Sequence, residues 1–239
     1  MDPKHIQATN RSTMRLAVAT IGLCFLCTAF TLPKAQKQDF GAWYALSIEK
    51  PLFRWLEVSV SPELRYYDNH SRLKSWLIET DLTVKINPYL RVGALYRYAV
   101  DFSDMDANER NNRLGVFAKA SYRIKPFDLS YRCQLQEQFT NYHSSENGKI
   151  PEVVWRHKFE IAYSKKKYDF KPYAYAEWFR TVSPGWDANE QKLRFSIGLD
   201  YDFTKKLKAS IGYVQQSEYN VKNPLTMHII ATQIKYEWK

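Results

Sequence analysis

Cysteine is scarce. The 239 residues hold three, and two of them, Cys24 and Cys27, fall in the most apolar stretch of the chain. Cys133 is alone in everything downstream, which excludes a disulfide framework or a cysteine-ligated metal site there. Glycine is also low, at 8 residues. A phosphate-cradling glycine loop, a Gly-x-Ser-x-Gly elbow and a His-Glu-x-x-His motif are all missing. After residue 32 no long apolar run occurs, and the mean hydropathy of -0.51 excludes a bundle of membrane helices, each needing roughly 20 apolar residues. A membrane β-barrel is not excluded. Its strands alternate one lipid-facing with one water-facing residue, so their average hydropathy looks soluble.

What is abundant is aromatic side chain: 15% of the chain, as 17 Tyr, 13 Phe and 7 Trp. Hydrophobic residues at 45% and charged residues at 25% exclude disorder. A net charge of +10 raises nucleic acid or an anionic surface as partner, and the placement of the charge decides. Lys50, Arg54, Lys125, Lys165, Lys166, Lys167, Lys205 and Lys206 are spread one turn at a time, as on a solvated rim. Most other basic residues alternate with apolar ones. No nucleic-acid stripe results.

Residues 1–35 read as a cleaved export signal. Lys4, Arg11 and Arg15 precede an uncharged run, Leu16 to Leu32, and Ala35 is a small residue suited to a peptidase, although Pro33 sits where a small residue is preferred. Residues 36–239 then form the exported domain. From Phe40 onward apolar residues recur with period two, which is the strand period. In 55–66, Leu56, Val58, Val60, Leu64 and Tyr66 oppose Glu57, Ser59, Glu63 and Arg65. Similar segments follow at 75–86, 90–101, 113–124, 128–139, 152–163, 171–180, 192–203, 207–219 and 227–238, and 40–49 precedes them.

Segments of about 10 to 12 residues match a tilted strand crossing a bilayer and are about twice the usual globular strand. The connections alternate in length. KPLFR, NPY, KPF, SKKKYDF and TKK are brief, whereas YDNHSRLK, SDMDANERNN, NYHSSENGKIP, TVSPGWDANEQ and NVKNPLT are longer and polar. Short periplasmic turns and longer outer loops have that asymmetry. Aromatics collect at strand ends, as in the two interfacial belts of a membrane protein. Phe53, Trp55, Tyr89, Tyr122, Phe127 and Trp238 mark the short-turn side, and Tyr66, Tyr67, Trp76, Tyr98, Trp155 and Trp178 the other. The expected fold is all-β: a transmembrane, antiparallel, up-and-down barrel of 10 to 12 strands. Eleven segments sit awkwardly with it, because fully antiparallel closure needs an even number.

The run Asp39-Phe40-Gly41-Ala42-Trp43, the Glu63-Leu64-Arg65 triplet and the Arg97-Tyr98 pair resemble a domain-of-unknown-function family of small outer-membrane barrels of bacteroidete-type Gram-negative bacteria. The resemblance covers about residues 39–238 and implies location and fold, without a reaction. The final strand ends on Lys239 with Trp238 one position early, though Ile234, Tyr236 and Trp238 keep the alternation that barrel assembly machinery would read.

If the apolar face meets lipid, the opposite face lines a lumen. Parity places there Glu57, Glu63, Arg65, Glu79, Asp81, Arg91, Arg97, Arg113, Arg123, Arg132, Arg156, Glu160, Glu177, Arg194 and Asp200, together with Lys85, Asp101, Lys119, Lys158, Arg180 and Asp202. Such a mixture either pairs internally into a stiff plug or leaves water between charged rings that select a small solute or ion. The excess of basic over acidic residues leans slightly toward anions. No catalytic, metal or cofactor site emerges. His70 and His143 fall in loops, His157 and His228 on the lipid-facing parity, and His143-Ser144-Ser145 is loop polarity, not a dyad. The acidic loop SDMDANERNN lacks the spacing of a calcium loop. The expected protein is a non-enzymatic outer-membrane barrel, structural or narrowly conducting, with membrane lipid, lipopolysaccharide and the barrel assembly machinery as partners. Rival readings are an outer-membrane lipid hydrolase and a soluble periplasmic β-sandwich binding protein.

Overall fold

The computed structural model describes residues 37–102, 108–140, 152–165, 168–182, 191–221 and 223–238. The expected signal at 1–35 and the His143-Ser144-Ser145 group lie outside the described residues.

Eleven strands follow one another: β1 (Lys37–Pro51), β2 (Leu56–Tyr67), β3 (Arg72–Lys85), β4 (Leu90–Asp101), β5 (Glu109–Ile124), β6 (Phe127–Thr140), β7 (Glu152–Tyr163), β8 (Phe170–Thr181), β9 (Gln191–Asp202), β10 (Leu207–Tyr219) and β11 (Leu225–Glu237). Each pairs antiparallel with its sequence neighbour, and β1 closes on β11, so the sheet is a barrel, not a sandwich. A chain that reverses at every turn brings its first and eleventh strands together pointing the same way. The closing pair is therefore parallel, in register from Lys37↔Leu225 to Glu49↔Glu237. Eleven strands fall within the expected 10 to 12, and the one departure from an antiparallel barrel is this closing pair. A parallel ladder slants its hydrogen bonds but still makes them, so an odd strand number leaves no raw edge.

Closure of this kind has a direct test. With the native cysteines replaced by serine, Leu46→Cys and Ile234→Cys sit on partnered positions of β1 and β11. A short bis-maleimide is expected to link them within one chain, visible as a mobility change of the unfolded protein. Failure to link, with both thiols reactive, would reject the parallel seam.

The strands β1, β3, β5, β7 and β9 finish at the short-turn end, and β2, β4, β6, β8 and β10 at the other. Two expected long loops are shorter than their sequences suggested. In YDNHSRLK, Asp68, Asn69 and His70 adopt positive φ, which Asp and Asn tolerate better than most residues. The Asp39 carboxylate accepts the backbone N–H groups of Asp68 (3.1 Å) and Asn69 (3.2 Å), pinning a tight turn. Within SDMDANERNN, Glu109 to Asn112 belong to β5.

Alternation sorts the two faces. Leu46, Val116, Phe159, Ile197 and Ile211 are each more than half exposed on the outside, an apolar surface that water would not tolerate over a whole barrel. Ring pairs gird its short-turn end: Phe53 stacks on Trp55 (5.6 Å between centroids), Tyr89 leans on Tyr122 (6.0 Å), and Tyr201 meets Phe203 edge-on (4.8 Å). Tyr131 with His157 (2.8 Å) and Tyr213 with His228 (2.6 Å) share hydrogen bonds on the outer face, so each polar tip there is satisfied by its neighbour. Two expectations are corrected. Arg180 shares the parity of Trp178, not of Glu177, and is exposed. Tyr67, expected in the outer belt, lines the interior.

Behind the seam the interior is apolar: Trp43, Val214, Met227 and Ile229 are buried together, with Tyr67, Leu225 and Ala231 against them.

Candidate functional site

Toward the long-loop end the barrel encloses a cavity of about 350 Å³. Its wall is cationic. Arg65 of β2, Arg97 of β4, Arg113 of β5, Arg156 of β7 and Arg194 of β9 all line it, with Lys192. These arginines lie on five strands and are far apart in sequence. Strand tilt offsets the ladder as it goes round a barrel, and that offset brings them to one place.

The carboxylates that neutralise them do not line the cavity, apart from Glu218. Glu63 pairs with Arg65 at 2.6 Å and Glu79 with Arg97 at 2.6 Å. Glu177 serves two partners, Arg156 at 2.7 Å and Arg194 at 2.9 Å. Glu177 is only 5% exposed and completes a network in which Arg156 also donates to Gln136 (3.1 Å) and Arg194 to Gln216 (2.7 Å). Charge-assisted forks of this kind are short and geometrically specific.

Aromatic rings separate the guanidinium groups. Arg65 lies over Trp43 at 4.6 Å and Arg194 over the same ring at 4.9 Å. Arg194 also approaches Phe179 at 4.9 Å, and Arg156 does so at 4.7 Å. The result is a run of Arg65, Trp43, Arg194, Phe179 and Arg156 from β2 to β7, with a ring between successive cations. Each such contact contributes about 0.5–2 kcal/mol, increasing as water is removed, and offsets the repulsion of like charges held together.

Arg113 differs from the rest. Its Nη2 donates to Gln138, no carboxylate pairs with it among the described residues, and its buried Nε has no partner. Among the described residues five arginines thus share three carboxylates around the cavity.

Phe117 is buried and Arg132 sits 3.8 Å above its ring, with Asp81 3.7 Å from Arg132. Ser47, Leu77, Leu95, Gln134, Ser196, Val214 and Ile229 are also buried on the inward parity. Nearer the short turns lysines replace arginines and pair locally: Lys85 with Glu57 (2.7 Å), Lys158 with Glu160 (2.7 Å), Lys235 with Glu49 (2.5 Å), Lys171 with Asp202 and Lys208 with Glu237. Arg123 pairs with Asp128 at this end, while Arg91 and Asp200 make no ion pair among the described residues.

Sequence reasoning missed the aromatic members. Trp43 alternates with Gly41, Ala45 and Ser47 against Phe40, Tyr44, Leu46 and Ile48, so parity alone could have turned it inward. Lys235 and Glu237, opposite Ile234 and Tyr236, carried the same signal. Among the described residues no cluster of three or more His, Cys, Asp or Glu could hold a metal ion.

A family model described as "Protein of unknown function (DUF2490)" matches residues 40–226. No curated protein matches the sequence. Among solved structures, similarity extends to the NanC porin, at 14% identity and a TM-score of 0.47, covering 74% of this chain and 86% of that one. It also extends to OmpT of Vibrio cholerae, at 15% identity and a TM-score of 0.40, covering 68% of this chain. The anion-selective porin from Comamonas acidovorans matches at 9% identity and a TM-score of 0.39, over 77% of this chain. The chain spans 54% of the length of OmpT and 54% of that porin.

Proposed function

The chain belongs to the DUF2490 family of proteins of unknown function, and for it we propose a non-enzymatic outer-membrane β-barrel, closed across its middle, with a cationic cavity toward the long-loop end. The observation that carries this reading is the layer formed by Phe117, Arg132 and the buried inward side chains around them. Water-filled channels keep such positions solvated; here Arg132 lies on the Phe117 ring and the others are buried. The apolar exterior and its ring pairs support membrane insertion, with lipid, lipopolysaccharide and the assembly machinery as partners and the short turns toward the periplasm. His70, His157 and His228 each bond a tyrosine, so none is poised beside a serine as a hydrolase would need.

Planar-bilayer recording tests it. The purified barrel is expected to give no steady conductance, whereas Phe117→Ala/Arg132→Ser, which empties the middle, is expected to give resolved current steps. Steady anion-selective steps from the unaltered protein would overturn the closed-lumen reading.

A further inference from the structure

The charge layout of the cavity identifies what it could hold. Among the described residues three carboxylates serve five arginines, and those carboxylates sit outside the lining. Within that set two positive charges remain toward the interior. Each guanidinium carries five donors on three nitrogens: Arg156 and Arg194 engage all three nitrogens with carboxylate or amide oxygens and Arg97 engages two with Glu79, whereas Arg65 uses only its Nε on Glu63 and Arg113 only its Nη2 on Gln138. Arg65 and Arg113 are thus the two forks with the most donors left to give. A planar fork is suited to a carboxylate or phosphate edge.

Size narrows the class. About 350 Å³ lies in the range of small-molecule sites and is generous for an inorganic oxyanion alone. Gln136, Gln138 and Gln216 add amides that can bond hydroxyl groups. We infer that the cavity binds a small hydroxylated dianion of sugar-phosphate size, its doubly charged end at Arg113 and Arg65 and its body among the glutamines. This deepens the proposed function and rests on its cationic cavity, but not on whether the lumen conducts.

The experiment is isothermal titration of the full barrel in detergent at low salt, with glucose 6-phosphate as probe. Inorganic phosphate, galacturonate and glucose are run in parallel. Saturable one-to-one binding of glucose 6-phosphate is expected, with phosphate and galacturonate weaker and glucose silent. Arg113→Gln is expected to weaken binding at least tenfold, and Lys235→Gln, which alters a lysine outside the cavity, to leave it unchanged. Heat-modifiable migration checks folding; if Arg113→Gln does not fold, Arg113→Lys keeps the charge, loses the fork and is expected to weaken binding several-fold. No saturable heat, equal affinity in the folded Arg113 variant, or equal affinity for phosphate or glucose would overturn the inference. Bilayer current separates the two readings: current with binding removes the closed lumen and leaves the ligand site, and silence in both assays does the reverse.

Discussion

Glu177→Leu is expected to produce the largest loss of stability of any single charge removal in the barrel. Glu177 is 5% exposed and holds Arg156 and Arg194, themselves only 16% and 14% exposed, through three short contacts at 2.7, 2.9 and 3.1 Å. Deleting the carboxylate leaves two guanidinium groups facing one Phe179 ring with their shared counter-charge gone. Breaking a buried pair costs about 3–5 kcal/mol, because an uncompensated charge stays behind. The upper part of that range applies, since two cations lose their partner together. Urea unfolding in lipid, followed by the loss of heat-modifiable migration, measures it. Glu177→Gln keeps one acceptor oxygen and is expected to lose less. Arg194→Gln added to Glu177→Leu should recover part of the deficit, since it removes one of the stranded charges. An unchanged unfolding midpoint in Glu177→Leu would mean that water, not Glu177, neutralises these arginines.

Most of the architecture was legible because alternation is a strong signal where one face meets an apolar medium. The segment 55–66 shows it in full, with Glu57, Glu63 and Arg65 on one parity and Leu56, Val60 and Leu64 on the other. What alternation cannot supply is height along the barrel. Arg65, Arg97, Arg113, Arg156 and Arg194 are unrelated in a linear reading, and only the stagger of neighbouring strands gathers them around one cavity. The parallel closure was hidden for a related reason. Each segment looks alike from its own residues, so nothing local in Lys37–Pro51 says that its second partner is β11 and not a missing twelfth strand. The tight turn at 68–71 depends on Asp39, which is 29 residues from Asp68, beyond the reach of turn rules. Inward parity alone does not tell that Trp43 stands between two arginines, since Arg65 and Arg194 come to its ring from other strands.

The second large effect is expected from one hydrogen atom. Gly93→Ala puts a methyl group 2.3 Å from the Leu82 carbonyl oxygen on β3 and 2.5 Å from Cζ of Phe117 on β5. The Phe117 ring occupies the place a side chain would take, which is how a glycine in a strand lets another group approach the backbone. Arg132 then rests on that ring at 3.8 Å, so the glycine also sets the Phe117–Arg132 contact. Overpacking typically costs about 1–3 kcal/mol, and this position belongs at the top of that range or above it, because a neighbouring backbone must move. Gly212 supplies the control. A methyl group there meets the Tyr173 hydroxyl at 2.6 Å but no backbone atom closer than 3.2 Å. Tyr173→Phe should therefore restore most of what Gly212→Ala loses, while Phe117→Ala should restore little of what Gly93→Ala loses, since the Leu82 carbonyl remains. Refolding yield into lipid and urea midpoints of the four variants decide between the cases. Full recovery of Gly93→Ala by Phe117→Ala would show that the ring, and not the close approach of β3 to β4, excludes every side chain from residue 93.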